Sequence, residues 1–184
     1  MRQLEIMLKI RNMDEMMSNL KDICSNFGKS IFKRNHIDVY FHTNLSEGLV
    51  LRKYEDNTGE LIIFEQKYVN DIIDRWYEYM GLPIPMAEEF LNILSLANGH
   101  KITISVKRCT YLHFLDIFSV MIDKVEDLGN FAIIQAVLDE DESEDESIVT
   151  EISEQLQAIL EDLCVLPDDI VQKSLREMIE EVNM

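Results

Sequence analysis

Residues 3–11 read Gln-Leu-Glu-Ile-Met-Leu-Lys-Ile-Arg, in which an aliphatic side chain occupies every second position. The aliphatic residues are Leu4, Ile6, Leu8 and Ile10, and those between them are Glu5, Met7, Lys9 and Arg11. Successive side chains of a β-strand point to opposite faces of the sheet, so a period of two predicts a strand with one aliphatic face.

The patterns on the C-terminal side of this strand predict helices and further strands in blocks. A helix is predicted over 13–26, because apolar residues recur at helical spacing between Asn12 and Gly28. Further strands are predicted over 30–43, 48–55, 60–66, 101–107, 108–114, 115–124 and 130–138. Helices are predicted in two short pieces within 69–98, interrupted by prolines, and over 147–163 and 168–182. This order favours a mostly antiparallel α+β domain.

The composition argues against several classes of protein. The chain has 184 residues, with 17 Lys and Arg against 35 Asp and Glu, and a formal charge of −18. A surface this acidic repels phosphate backbones and anionic lipids, so neither nucleic acid nor a membrane is an expected partner. Three scattered cysteines indicate neither a disulfide framework nor a zinc site. No signal peptide or membrane-length apolar run is visible, so we expect an intracellular, soluble protein of the cytoplasm or nucleus.

Several short segments carry motifs. Residues 38–41 read Asp-Val-Tyr-Phe, 49–53 read Leu-Val-Leu-Arg-Lys, 108–112 read Arg-Cys-Thr-Tyr-Leu, and 123–131 read Asp-Lys-Val-Glu-Asp-Leu-Gly-Asn-Phe. Together with the opening strand, read as Glu5, Met7 and Lys9 of a Glu-x-Glu-x-Lys motif, they resemble the CYTH family. This is the triphosphate-tunnel family of class IV adenylyl cyclases and thiamine triphosphatases. The resemblance spans almost the whole chain, and its most specific part is the Leu-Gly-x-Phe segment.

The resemblance implies an architecture and a chemistry. It implies one domain over 1–184, an α+β fold with a mostly antiparallel, eight-stranded, tunnel-like β-barrel and flanking helices. Within it we expect a helical insertion at 69–98, an acidic loop at 139–147 and C-terminal helices at 148–182. In the family, inward basic residues hold a triphosphate and inward carboxylates hold divalent metal. A polyanion in a desolvated tunnel needs several cations, and Mg²⁺ or Mn²⁺ needs clustered oxygens.

When the family's site residues are carried over one by one, the triphosphate and metal site that the resemblance implies is incomplete. The retained cations are Lys9, Arg52 and Arg108, and the retained carboxylates are Glu5 and Asp123. The family's basic residues are replaced at Val50, Gln66, Val106 and Ser119, and its carboxylates are replaced at Met7, Ile133 and Gln135. Two carboxylates are too few to hold a metal well against water. Each lost contact to phosphate costs roughly 1.5–3 kcal/mol.

The sequence therefore predicts a degenerate CYTH-fold protein that is non-catalytic and acts through its surface on a protein partner, with no cofactor. The alternative is a weakened triphosphate phosphohydrolase or adenylyl cyclase-like enzyme that uses Mg²⁺ or Mn²⁺ with the retained residues. Those residues form either an internal ion-pair network or a residual anion site. Trp76, Tyr77 and Tyr79 are predicted to be core, whereas their exposure would indicate a binding surface.

Overall fold

The computed structural model describes residues 1–23, 34–41, 48–82, 84–98, 101–113 and 117–182, with the backbone alone at 34, 98, 101–113, 140 and 143. The strands in these ranges are β1 (Arg2–Lys9), β2 (Arg34–Phe41), β3 (Gly48–Tyr54), β4 (Gly59–Val69), β5 (Ile72–Leu82), β6 (Lys101–His113), β7 (Phe118–Val125) and β8 (Gly129–Leu138). The helices are α1 (Met13–Ile23), α2 (Ala87–Asn98), α3 (Glu140–Glu144), α4 (Glu146–Asp162) and α5 (Leu175–Val182), with a 3₁₀ turn at Pro167–Asp169. The predicted α+β class is confirmed.

The strands pair in an antiparallel manner throughout, as the sequence predicts. The first strand, β1, pairs with both β5 and β8, and the order β1-β5-β4-β3-β2-β6-β7-β8 returns to β1 as a closed barrel. Because side chains alternate along each strand, one face of every strand looks into the interior and the other looks outward.

The predicted helical insertion at 69–98 is wrong in its first half. Residues Ile72–Leu82 form β5, which pairs with β4 along its whole length. This segment is rich in β-branched and aromatic side chains, and pairing with β4 satisfies its backbone groups, so the tertiary context overrides a short local helical pattern. Of the residues that the structure describes between 69 and 98, those of Ala87–Asn98 alone are helical. Further along, Lys101–His113 form the single strand β6 where two strands, over 101–107 and 108–114, are predicted.

The predicted acidic loop at 139–147 is also wrong, because acidic side chains here cap two helices. Asp139 accepts a hydrogen bond from the Glu142 backbone N–H at 2.9 Å, and Glu142 accepts one from the Asp139 N–H at 3.3 Å. Asp145 caps α4 by accepting from the Ser147 hydroxyl at 2.6 Å and from the Ser147 N–H at 2.9 Å, and these two hydrogen bonds lower the pKa of Asp145. Carboxylates are favourable at helix N-termini because free N–H groups and the helix dipole are there.

The aliphatic face of β1 is the centre of the main hydrophobic core. Leu4, Ile6 and Leu8 are buried with Leu20 of α1 and Leu156 of α4. Burial of each such side chain stabilises the fold by about 1.5–3 kcal/mol. A second cluster joins α2 to β2 and β3. Within the ranges that the structure describes, no helix is long and apolar enough to cross a membrane.

Candidate functional site

The barrel interior contains a cavity of ≈ 740 Å³, which is lined by inward positions of β1, β2, β3, β4, β5, β7 and β8 and by residues around α5. Small-molecule sites occupy about 300–1,000 Å³, so the cavity has the size of a ligand site. Among its described lining residues, the arginines are Arg52, Arg75 and Arg176, and the carboxylates are Glu5, Asp38, Glu60, Asp123, Glu177 and Glu180.

The cavity-facing residues of β1 are Gln3, Glu5 and Met7, whereas Lys9 is exposed and does not line the cavity. The predicted inward cation Lys9 is therefore misplaced, although Glu5 and Met7 lie as expected. Lys9 is the last residue of β1 and pairs with Phe131. The interior beside Phe131 is already filled by an apolar cluster that includes Met7, so a long charged side chain here extends to solvent.

Most of the other predicted positions do face the cavity. Those that line it are Val50, Arg52, Gln66, Asp123, Ile133 and Gln135. Ser119 is buried but is not among the lining residues. The side chains of Val106 and Arg108 lie outside the described part of the structure, and their backbones pair with those of Val125 and Asp123.

Asp38 and Arg52 form a two-pronged ion pair across β2 and β3. Arg52 Nε donates to Asp38 Oδ1 and Arg52 Nη2 donates to Asp38 Oδ2, both at 2.8 Å. Burial alone would lower the pKa of Arg52, but attraction to Asp38 and these hydrogen bonds outweigh it and raise the pKa. His36 Nε2 lies 3.6 Å from the same Asp38 Oδ1. The charge of the Arg52 guanidinium is thus balanced inside the protein.

The guanidinium of Arg75, on β5, is also compensated. Its Nη2 lies 2.9 Å from Glu5 Oε1 and donates to Gln66 Oε1 at 3.0 Å. Its central carbon lies 5.0 Å from the centre of the Phe64 ring, which adds a cation–π contact. Glu5, the residue predicted to hold metal, therefore pairs with an arginine, and Gln66 accepts from the same group.

Glutamines complete this network across β1 and β8. Gln3 donates to Glu5 and, at 2.9 Å, to Gln135 Oε1. Gln135 also faces Glu5 across the β1–β8 pair. A side-chain amide can donate and accept at once, so Gln135 takes part in a hydrogen-bonded network without adding a charge.

Burial and neighbouring charges raise the pKa of Tyr40, which lines the cavity, and of Tyr68, which is not among the lining residues. Burial raises the pKa of Tyr40 well above its usual range, and the nearby Asp38 raises it further. Burial likewise raises the pKa of Tyr68 to about 12, with Glu177 adding to the effect. Neither phenol can act as a base near neutral pH.

The C-terminal segment brings residues distant in sequence to the cavity. The Ser174 N–H donates to Glu177 Oε2 at 2.7 Å, and Arg176 Nε donates to Glu180 Oε1 at 3.1 Å. Ile179 packs in the apolar cluster with Phe131. Even the third described arginine of the lining, Arg176, is thus balanced by a carboxylate.

The carboxylates do not fit a divalent metal centre. Among residues with described side chains, no group of three or more His, Cys, Asp or Glu is placed to hold a metal ion. Glu5 and Asp123 both line the cavity, but Glu5 is ion-paired with Arg75. Mg²⁺ and Mn²⁺ require several oxygen ligands around one point.

Sequence reasoning missed Arg75 and gave no role to Asp38. Arg75 lies in the segment predicted to be helical, and the alternation of Ile73, Arg75, Tyr77 and Tyr79 is the signal that would have placed it inside the barrel. The role of Asp38 depends on its cross-strand position opposite Arg52, which only the register of β2 and β3 defines.

A second candidate surface lies on the outside of the barrel. Trp76 is 41% exposed and Tyr79 is 58% exposed, so the prediction that these rings are core is wrong. On β5 they occupy opposite faces, with Trp76 outward and Tyr79 at the cavity. Local periodicity predicted burial here because it assumed a helix with one packed face.

Comparison with known proteins identifies similar structures but no similar sequence. No family model and no curated protein matches the chain. The PH1819 protein of Pyrococcus horikoshii has a similar structure, with a TM-score of 0.79 and 17% sequence identity. The match covers 98% of this chain and 99% of the PH1819 chain.

Two further structures bear names that state an activity. A provisionally named adenylate cyclase of Vibrio parahaemolyticus covers 97% of this chain and 97% of its own, with a TM-score of 0.69 and 15% identity. The triphosphatase of the mimivirus capping enzyme covers 89% of this chain and 90% of its own, with a TM-score of 0.55 and 9% identity. At these identities the likeness concerns the fold, and it agrees with the resemblance found in the sequence.

Proposed function

We propose that this chain, which has the CYTH fold of triphosphate-tunnel proteins, is a binding protein that performs no chemistry on a triphosphate. The observation that carries the proposal is the pairing of Arg52 with Asp38 and of Arg75 with Glu5. A phosphate group that entered the cavity would have to displace a carboxylate from each guanidinium. Displacement would leave the buried carboxylate uncompensated, at a cost of about 2–4 kcal/mol because part of each arginine reaches solvent. A charge-assisted phosphate contact returns about 1.5–3 kcal/mol, so the exchange is not favourable.

The balance of charges around the cavity supports the same proposal. The described lining has more carboxylates than arginines, and the whole chain carries −18. A polyanion would therefore meet repulsion on approach and again inside the cavity. The described carboxylates are not clustered as Mg²⁺ or Mn²⁺ requires, so they offer no arrangement that would hold a cation against this repulsion.

Calorimetric titration of inorganic triphosphate with Mg²⁺ into the full chain, followed by an assay of phosphate release, tests the proposal. We expect no heat of binding and no release. The double variant Asp38→Asn with Glu5→Gln removes both compensating charges and should bind triphosphate at least about a hundredfold more tightly. The variant Glu151→Gln with Asp162→Asn removes the same charge from the surface of α4 and should not gain binding.

A weakened phosphohydrolase or adenylyl cyclase-like enzyme is the competing function. It is favoured by the structural likeness to a protein named a triphosphatase and by the presence of Glu5, Arg52 and Asp123 in one cavity. Micromolar binding and Mg²⁺- or Mn²⁺-dependent turnover by the unaltered chain would establish it. So would a large gain in turnover from Met7→Glu, Ile133→Glu and Gln135→Glu alone, because the phosphate contacts would then be intact.

The partner in our proposal is another protein, bound at the outer surface. The support is the exposure of Trp76, Ile63 and Met80 on the outer face of β4 and β5, since contiguous exposed apolar patches often mark contact sites. The cavity itself is open to a ligand of lower charge than a triphosphate. Binding a protein at the outer surface and binding a less charged ligand in the cavity are both compatible with a barrel whose arginines are paired with carboxylates.

A further inference from the structure

We propose that the outer face of β4 and β5 binds a partner segment that carries both basic and apolar side chains. The residues of this surface, the β4–β5 face, are Ile63, Glu65, Trp76, Glu78 and Met80. The inference rests on the proposed function, because it gives the chemistry of the protein partner proposed there.

The apolar residues of the β4–β5 face are accessible and lie between two covered parts of the barrel. Ile63 is 47% exposed, Trp76 41% and Met80 49%. On one side the core cluster under α1 and α4 reaches the start of β5, and on the other the cluster under α2 reaches the end of β5. Single exposed apolar residues are ordinary, but three within one two-stranded patch form a site for contact.

The strand register mixes carboxylates with these apolar side chains. Ile63 lies opposite Glu78, and Glu65 lies opposite Trp76. Ile63 and Trp76 therefore each have a carboxylate opposite them on the neighbouring strand, whereas Met80 lies opposite Leu61. A complementary partner would alternate apolar groups with cations at the same spacing.

The net charge of the β4–β5 face is negative and comes from Glu65 and Glu78. The neighbouring ions compensate one another: Arg2 lies 2.9 Å from Asp74 and 3.3 Å from Glu146, and Lys67 lies 3.1 Å from Asp74. The net charge of −18 adds a long-range field of the same sign. Electrostatic complementarity thus favours a basic partner and disfavours an acidic protein, an anionic membrane or a second copy of this chain.

Trp76 is placed to serve as the anchor of the contact. The guanidinium carbon of Arg2 lies 5.2 Å from the centre of its ring, and Arg2 is itself held by Asp74. A ring that is already oriented loses little freedom on binding, and tryptophan is enriched among the residues that contribute most to interfaces.

Tryptophan fluorescence tests the proposal directly, because Trp76 is the only tryptophan in the chain. The probe is a synthetic amphipathic peptide of leucine and lysine, and the matched control peptide contains leucine and glutamate. We expect a saturable blue shift with the lysine peptide and none with the glutamate peptide. The variant Glu65→Lys with Glu78→Lys should weaken lysine-peptide binding about tenfold, since two attractive pairs become repulsive.

A second double variant controls for non-specific attraction to an acidic protein. Glu151→Lys with Glu154→Lys makes the same charge change on the exposed surface of α4 and should bind the peptide as the unaltered chain does. Equal loss in both variants, no spectral change, or an equal response to the glutamate peptide would overturn the inference. Concentration-dependent self-association through this face would overturn it as well. Hydrolysis of triphosphate would instead refute the proposed function and leave the peptide result standing.

Discussion

At the residue scale, a guanidinium in a cavity attracts phosphate less strongly once a carboxylate compensates its charge. Arg52 has two hydrogen bonds to Asp38, and Arg75 is paired with Glu5. Both arginines therefore belong to internal ion pairs. Of the retained residues that the sequence assigned either to an ion-pair network or to an anion site, Arg52 and Glu5 are ion-paired. The carboxylate of Glu5 is paired with Arg75, and it is not part of a cluster of three or more possible metal ligands among the described residues.

The Asp38–Arg52 pair should contribute measurably to stability. Arg52→Met leaves the buried Asp38 carboxylate uncompensated and should lower the free energy of unfolding by about 2–4 kcal/mol, less than for a fully buried pair because part of Arg52 reaches solvent. Urea denaturation measures the change. The double variant Asp38→Leu with Arg52→Met should recover part of the loss. Unchanged stability in Arg52→Met would contradict the prediction and show that Asp38 does not depend on Arg52 for compensation.

The stability of the chain should depend on pH through Asp74. Burial alone would raise the pKa of Asp74, but hydrogen bonds from Arg2 and Lys67 outweigh it and lower the pKa. A lowered folded-state pKa stabilises the fold above the ordinary aspartate value of about 4, and this contribution is lost as the pH falls through the lowered value. Urea midpoints measured between about pH 6 and pH 2 should thus fall more steeply for the unaltered chain than for Asp74→Asn. Asp141→Asn, at an exposed site on α3, should keep the unaltered profile.

At the scale of secondary-structure elements, β5 has the largest effect on the site. It pairs with β4 on one side and with β1 on the other. This pairing brings Arg75 opposite Gln3 of β1 and Gln66 of β4. It also places Trp76 outside. A helix over the same residues, as local periodicity suggested, would have provided neither the internal ion pair nor the exposed ring.

The two glycines near the α2 end of β4 and β5 should respond differently to alanine. A Cβ on Gly59 would lie 2.4 Å from the backbone oxygen of Arg52, whereas a Cβ on Gly81 would meet nothing within 4 Å. Gly59→Ala should therefore destabilise the chain by about 1–3 kcal/mol through overpacking. Gly81→Ala should be neutral or slightly stabilising. Thermal unfolding of the two variants makes the comparison, and equal melting temperatures would contradict it.

At the scale of the whole molecule, closure of the strands brings together residues far apart in sequence. Glu5 and Gln135 face each other across β1 and β8, while Asp123 and residues around α5 reach the same cavity. The alternation of side chains, a property of sequence, correctly predicted the inward positions on most strands. It failed at Lys9, because the far end of the barrel is filled by an apolar cluster to which Phe131 and Ile179 contribute.

The sequence by itself determined the α+β class, the antiparallel pairing, the likeness to the triphosphate-tunnel fold, and the presence of uncharged side chains at several inward positions. These four conclusions follow from period-two patterns and short motifs, which are local properties of the sequence. The tertiary structure alone decided that 72–82 is a strand, that Arg75 neutralises Glu5, that Asp38 neutralises Arg52, and that Trp76 faces outward. Those outcomes depend on strand partners and register, because a charge is compensated by whatever lies opposite it in space.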